Sequence, residues 1–267
     1  MRSHASASTE SLRFCKLEVS DAVATVTLNR PEKHNALHPD AHRELSDLFD
    51  RLHANSSLRV IILTGAGHNA FCAGYDLKDN LETGRMELPE TGFGGLNDRQ
   101  DFPLPLIAAV NGIAFGGGFE MALACDIILA AQSARFALPE PKVGWAALGG
   151  GVQRLPQAIG LKRAMDIILT GRRVDAREAL SLGLVSEIVE DNQLLPPARR
   201  WADQIAACAP LAIKASRVVA AAGAGMGWRG RVELEAYPIV RQMLQSDDAI
   251  EGKRAFVEGR KPVWRGH

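Results

Sequence analysis

The sequence predicts an α/β fold with parallel strands, followed by a part built only of helices. Three observations carry that prediction. Continuous apolar runs of strand length recur at residues 59–64 (RVIILT), 106–110 (LIAAV) and 126–131 (DIILAA), the pattern of strands covered on both faces. Glycine-rich turns and helical patterns separate these runs, the rhythm of right-handed crossovers between parallel strands. From about Pro196 only helical periodicity remains, over residues 196–207, 211–222, 232–245 and 249–259.

The elements follow in order. The opening MRSHASASTE is polar and rich in small residues, and residues 1–11 read as a frayed tail. Residues 12–20 and 22–29 are Val- and Thr-rich runs joined at Ser20-Asp21, which predicts a hairpin. Residues 39–53 place Ala41, Leu45, Leu48, Phe49 and Leu52 at helical spacing. The segment 79–101 has no clear period and contains Gly84, Pro89, Gly92, Gly94 and Gly95. Loops of that length inside compact domains are usually functional lids or mobile segments. An apolar helical run over 117–125 and a short apolar run over 134–138 flank the strand at 126–131. The chain thus divides into a core over 12–195 and a helical part over 196–267. The one-faced pattern of the latter suits helices that pack on something else, another subunit included.

Composition narrows the function. A chain of 267 residues can bury a sizeable core without disulfides or metal. Lys plus Arg total 31 and Asp plus Glu total 31, so no net charge favours nucleic acid or an anionic membrane as the main partner. No apolar run reaches the roughly 18 residues a membrane helix needs, and no secretory signal opens the chain. Cys15, Cys72, Cys125 and Cys208 are scattered without C-x-x-C spacing, so reduced thiols in a cytoplasmic protein with no structural metal are expected.

Three segments carry candidate chemistry. Gly116-Gly117-Gly118-Phe119-Glu120 follows a buried strand and opens a helix, where exposed amides and the helix dipole suit an anion or a developing oxyanion. Glu120 then enters an apolar run, which is costly unless the carboxylate is paired or used. As a bland alternative, it only complements the dipole. Pro139-Glu140-Pro141 holds a second carboxylate on a stiff backbone, or simply opens a helix. Ala73-Gly74-Tyr75-Asp76 allows close approach of a ligand, with Asp76 read as an N-cap and Cys72 lacking a basic neighbour to make it a nucleophile. His34, His38 and His42 have helical spacing, but Pro39 starts the helix after His38, which argues against a metal triad. A Rossmann reading of the glycine turn fails, because Gly116-Gly117-Gly118-Phe119-Glu120 is not G-x-G-x-x-G and no second-strand acid follows at the right distance, and P-loop, H-E-x-x-H and G-x-S-x-G signatures are absent from the sequence.

Taken together the motifs resemble the crotonase (enoyl-CoA hydratase/isomerase) superfamily over residues 12–264. The residues that carry the resemblance are Leu28-Asn29-Arg30-Pro31-Glu32-Lys33 with Asn35-Ala36-Leu37, and Ala70-Phe71-Cys72-Ala73-Gly74-Tyr75-Asp76-Leu77-Lys78. Further matches are Ala109-Val110-Asn111-Gly112 through Glu120, Leu138-Pro139-Glu140, Gly150-Gly151-Val152-Gln153-Arg154-Leu155-Pro156 and Leu169-Thr170-Gly171-Arg172. Each is weak alone; together, in the family's order and spacing, they are specific.

The resemblance implies a spiral of β-β-α units, a helical C-terminal part that builds trimers or hexamers, and acyl-CoA thioester substrates. It implies no separate cofactor, coenzyme A being part of the substrate. It maps two oxyanion-hole amides onto Tyr75 and Gly117, and two catalytic glutamates onto Glu120 and Glu140. It places CoA along Arg30, Lys33, Ala36, Ala73, Asp76, Leu77 and Lys78, with Arg260 and Lys261 near a neighbouring subunit's nucleotide. Departures are Leu148 where the family often has a glycine beside the water site, Tyr75 where short-chain hydratases often have alanine, and Gly259 in place of a frequent lysine.

The expected activity is hydration of a 2-enoyl-CoA or its reverse. The alternatives are a Δ3-Δ2 enoyl-CoA isomerase and a carnitinyl-CoA dehydratase-like enzyme, whose A-G-Y-D-L-K and G-G-F-E-M-A-L-A stretches look similar. A non-catalytic acyl-CoA-binding protein would share the fold but does not need both glutamates.

Overall fold

The computed structural model describes residues 8–99, 102–223 and 237–267. Strands β1 (Ser8–Ser11), β2 (Cys15–Ser20) and β3 (Val23–Leu28) form an antiparallel meander. The hairpin is as the sequence predicts, but the tail ends earlier than expected. Ser8–Ser11 carries no apolar period to betray it. It is held by its ladder to β2 and by a two-pronged pair from Arg51 to Glu10 at 3.0 and 2.7 Å.

Helix α1 (Pro39–Ala54) starts as read, with Pro39 in the first turn and His38 Nδ1 accepting the Ala41 amide at 3.1 Å. Its apolar stripe of Ala41, Leu45, Leu48, Phe49 and Leu52 is buried. The chain then winds three times through one pattern: a long strand, a tight turn, a short strand in a second sheet, and a helical segment. The first winding is β4 (Val60–Gly65), β5 (Ala70–Cys72) and α2 (Leu77–Thr83). The second is β6 (Leu106–Val110), β7 (Ile113–Phe115) and α3 (Gly117–Ala124). The third is β8 (Ile127–Ala131), β9 (Arg135–Ala137) and a 3-10 turn, Glu140–Val143.

Helices α4 (Gly151–Ile159) and α5 (Leu161–Thr170), strand β10 (Val174–Asp175), helix α6 (Ala176–Ser181) and strand β11 (Glu187–Val189) close the core. One sheet has seven strands in the order β1-β2-β3-β4-β6-β8-β11, the other four in the order β10-β9-β7-β5. From β3 onward the large sheet is parallel, as are β5, β7 and β9. This is the spiral the resemblance implies.

Alternation along β4 shows why its run is wholly apolar. Ile61 and Leu63 enter the core shared with α1 and the small sheet, while Val60 and Ile62 face Leu194, Ala198 and Ala202 on the other side. Burying each such side chain stabilises the fold by roughly 1.5–3 kcal/mol.

That second face is covered by α7 (Leu195–Ala206), whose Ala198 and Ala202 pack on Val60 and Ile62. Helix α8 (Pro210–Gly223) comes next. Helices α9 (Pro238–Gln245) and α10 (Asp247–Glu258) follow; the first residues of the helix expected over 232–245 lie outside the described residues. Among the described residues no single helix is long and apolar enough to cross a membrane.

Candidate active site

The site forms where the second winding passes the first. Leu37 pairs with Tyr75 in a parallel bridge: its amide donates to the Gly74 carbonyl at 2.9 Å, and its carbonyl accepts the Asp76 amide at 2.9 Å. These bonds flank Tyr75 and leave its own N–H without a protein acceptor among the described residues. Gly117 is the first residue of α3, where an amide has no intrahelical partner.

Gly74 brings the two segments together. Its φ is +96°, and a Cβ there would stand 2.8 Å from the Phe115 carbonyl oxygen and 3.3 Å from Gly117 N. Only glycine permits that approach. Two unspent amide donors thus lie on adjacent segments at a helix N-terminus, an arrangement suited to a developing oxyanion.

Both expected carboxylates are at this turn. Glu120, in α3, is 4% exposed and its Oε1 accepts the Gly151 amide at 2.9 Å. Burial pushes its pKa up, the Gly151 amide pulls it back, Glu140 pushes it up again, and the Gly149 amide and Arg154 pull it back, leaving about 7. A first-turn acid that merely complemented the dipole would face water; this one faces the first turn of α4. Glu140 opens the 3-10 turn behind Pro139, and its Oε1 lies 2.9 Å from where a Cβ on Gly116 would stand. Its Oε2 is buried without a hydrogen-bond partner, and burial raises its pKa. An unpartnered buried carboxyl oxygen beside unspent amides marks a place where a ligand completes the bonding.

The residues assigned to CoA differ in exposure. Lys33, Leu77 and Lys78 are exposed, Ala73 is half-buried and Ala36 is buried. Arg30 and Asp76 also bind each other. Their side chains, 12% and 9% exposed, pair at 3.0 Å, and Arg30 Nη1 also donates to the Ala36 carbonyl. Asp76 Oδ1 in turn caps α2 through the Asp79 amide at 3.2 Å, as its N-cap reading expects. Burial would raise the Asp76 pKa, but the Asp79 amide and Arg30 outweigh it and hold the carboxyl below its ordinary range.

Leu148 is 73% exposed and its amide donates to the Ala146 carbonyl at 2.9 Å, while the Gly149 amide lies beside Glu120. Arg260, just past the end of α10, is engaged by Glu251 and Glu258 of that helix. Cys72 is fully buried and its thiol is pushed up to about 12, which removes it as a nucleophile. His38 is a cap and His42 is buried; among the described residues no group of three His, Cys, Asp or Glu side chains is placed to hold a metal.

The segment 79–101 supplies residues that sequence reasoning missed. It begins as helix α2 and later turns at Phe93–Gly95, where Gly95 presses on the Ser46 backbone of α1. Phe93 covers the oxyanion turn: a Cβ on Gly117 would lie 2.5 Å from its ring. His42 Nδ1 accepts the Gly94 amide at 3.0 Å, and its ring meets Phe93 edge-on at 4.5 Å. Asn97, 1% exposed, reaches from the same segment to the Gly149 carbonyl at 2.8 Å. The one available signal was the glycine cluster, which announces close backbone approach without naming its target. A cavity of about 900 Å³ borders this wall, with Asn97, Leu148, Gly150 and Arg154 on one side and Lys214 and Arg217 of α8 on the other.

Comparisons with known proteins identify the family. Residues 18–267 match the family model described as enoyl-CoA hydratase/isomerase. The carnitinyl-CoA dehydratase of Proteus mirabilis is 41% identical over 266 residues, covering 94% of this chain and 97% of the relative. That of Citrobacter koseri is 42% identical over 268 residues, covering 96% and 99%. Among solved structures, an enoyl-CoA hydratase from Mycobacterium tuberculosis superposes with a TM-score of 0.88 at 38% identity, covering 95% of this chain and 99% of that one. An enoyl-CoA hydratase from Bacillus anthracis gives 0.85 at 33% identity, covering 98% and 99%. With the spiral, the amide pair and the two buried glutamates already in place, these likenesses settle the assignment: the chain belongs to the enoyl-CoA hydratase/isomerase, or crotonase, family and is an enzyme of the hydratase and dehydratase kind.

Proposed function

We propose that the protein catalyses reversible syn addition of water to a 2-enoyl-CoA thioester. The observation that carries this reading is the placement of Glu120 and Glu140 beside one oxyanion turn, both buried and both raised in pKa. The Tyr75 and Gly117 amides bind the thioester oxygen and gain strength as it becomes an enolate, each donor supplying on the order of 3 kcal/mol. Ionised Glu120 takes one proton from water as the oxygen bonds to C3. Glu140 gives its proton to C2 on the same face. The pair then holds one proton as before, moved from Glu140 to Glu120, and proton exchange restores the start. Two interacting carboxyls titrate as a unit, so a state with one proton between them is the working form.

Coenzyme A lies along Lys33, Ala36, Ala73, Leu77 and Lys78 in this reading, its phosphates towards the lysines. No further cofactor is required by the chemistry. Exposed apolar side chains on α10, Phe256 at 88% and Val257 at 84%, support packing of this helix against another copy in a trimer or hexamer. Light scattering tests that assembly.

A second reading has its own support in the names of the Proteus and Citrobacter relatives: the same two carboxyls run as a dehydratase on a carnitinyl-type thioester. The deciding experiment follows loss of enoyl-thioester absorbance with crotonyl-CoA, beside dehydration of carnitinyl-CoA. Faster turnover of crotonyl-CoA upholds the first reading; silence on it with rapid carnitinyl-CoA dehydration upholds the second. A 3-enoyl-CoA isomerised faster than either is turned over would displace both.

A further inference from the structure

Asn97 belongs to no part of the mechanism so far, yet it sits at the back of Glu120. Its Nδ2 donates to the Gly149 carbonyl at 2.8 Å, while its own carbonyl accepts Arg154 Nη2 at 2.6 Å. Arg154 Nη1 reaches the same Gly149 carbonyl at 3.3 Å. The Gly149–Gly151 turn is therefore gripped from two sides at the residue before the α4 N-terminus. The face of that turn towards α3 presents Gly149 and Gly151 amides to Glu120. Contact there is tight: a Cβ on Gly149 would stand 2.6 Å from Glu120 Oε2 and 3.2 Å from Asn97 Nδ2. The remaining amide atom, Asn97 Oδ1, is buried without a partner.

The segment carrying Asn97 is itself anchored on α1. Arg99 pairs with Asp50 at 2.7 Å and donates to the Ser46 carbonyl at 2.9 Å, Ser46 Oγ meets Thr91 Oγ1 at 2.8 Å, and His42 holds Gly94. A rigid strut thus runs from α1 through Asn97 to the glutamate's amide donors.

We propose that Asn97 is a positioning residue for Glu120, holding the Gly149–Gly151 turn so that both amides face the carboxylate. It acts through the turn and touches no substrate atom. The charged groups facing Glu120 are Glu140 from the 3-10 turn and Arg154 from α4; on the Asn97 segment, Asp98 is exposed and Arg99 is spent on Asp50. Releasing the turn leaves those charges in place and withdraws amide donors from the ionised form, so Glu120 holds its proton to higher pH.

The activity readout rests on the proposed hydratase chemistry, so a second readout is independent of turnover. Asn97→Ala and Asn97→Ser are compared with the wild type in two ways. One is the pH profile of crotonyl-CoA hydration; the other is an infrared carboxyl titration of resting protein, with Glu120→Gln identifying the Glu120 band. The expected result is an acid limb and a carboxyl titration both moved up by about half to one pH unit in both variants, hence about a two- to sixfold loss at neutral pH that is largely recovered at higher pH, with KM unchanged. A carboxyl titration at the wild-type position in folded variants overturns the proposal, as does an activity loss that is uniform across pH. Wild-type silence on crotonyl-CoA refutes the hydratase reading alone, and the infrared titration still decides the role of Asn97.

Discussion

Glu140 Oε1 and Gly116 share one wall of the site: the carboxyl oxygen stands 2.9 Å from where a Gly116 side chain would begin. Glu140, the proton donor of the proposed mechanism, is thereby packed against the glycine turn, so movement of one displaces the other. Glu120 closes the opposite side through the Gly151 amide. The distances between reacting groups are thus set by backbone contacts, not by flexible side chains.

Replacing either carboxyl by its amide keeps the shape and removes the proton chemistry. Glu120→Gln and Glu140→Gln should each lower kcat for crotonyl-CoA by about 10²–10⁴, the usual range for general acid–base groups. Calorimetric titration with CoA should give affinities equal to the wild type. Full turnover in either variant would remove that carboxyl from the mechanism.

Glu120 also makes folding depend on pH. Its pKa rises from 4.5 to about 7 on burial, so the folded state binds the proton more tightly than the unfolded chain. A raised carboxyl is neutral and harmless at low pH and destabilises the fold progressively as pH climbs from about 4.5 to about 7, by on the order of 3 kcal/mol in full. Glu120→Gln should therefore melt higher than the wild type at about pH 8, and the advantage should vanish near about pH 4. Equal melting temperatures at the higher pH would show that the carboxylate is better solvated than its burial indicates.

The contact between Phe93 and Gly117 predicts a paired effect. Gly117→Ala drives a methyl into the Phe93 ring, whose nearest atom would be 2.5 Å away. Overpacking of this kind costs about 1–3 kcal/mol. Thermal melts and kcat should both fall in the single variant and partly return in Gly117→Ala with Phe93→Ala. If the second substitution restores nothing, the ring is not what limits the turn.

Arg30 and Asp76 give a prediction that separates support from ligand contact. Arg30→Met strands a nearly buried carboxylate and should cost on the order of 3 kcal/mol at neutral pH. Because the Asp79 amide and, beside it, Arg30 hold the Asp76 pKa down, the pair's contribution is present above the carboxyl's unfolded value and is lost as pH falls through the lower folded one. The stability gap between wild type and variant, followed by urea unfolding, should accordingly narrow in acid. A gap that is constant with pH, accompanied by a large rise in KM for crotonyl-CoA but not for its 3′-dephospho analogue, would make Arg30 a phosphate contact instead.

Much of this was legible in the residues. The run RVIILT could only be a strand covered twice, and β4 is covered by α1 on one side and α7 on the other. Gly116-Gly117-Gly118 and Glu120 pointed to a candidate anion-binding turn from the residues alone, while Glu120 and Glu140 each kept a purely structural reading until their burial was on the page. The second sheet was harder to see, since β5, β7 and β9 have only three residues each and too short a period to register. Asn97, Phe93 and Arg154 stayed hidden for a different reason. Their importance lies in contacts between residues about fifty positions apart, such as Asn97 with Gly149, and no local spacing encodes such a meeting.

The short first strand has a consequence for how copies of the chain meet. Among the described residues β1 is the outer rung of the large sheet, and its sequence is Ser-Thr-Glu-Ser, with Glu10 tethered to Arg51. A long, bare β2 would offer its unpaired amides and carbonyls to any passing strand. Four polar residues and an ion pair blunt that invitation, because a newcomer would gain few backbone bonds and no apolar burial. This flank of the sheet is thus made unattractive to runaway strand-by-strand growth.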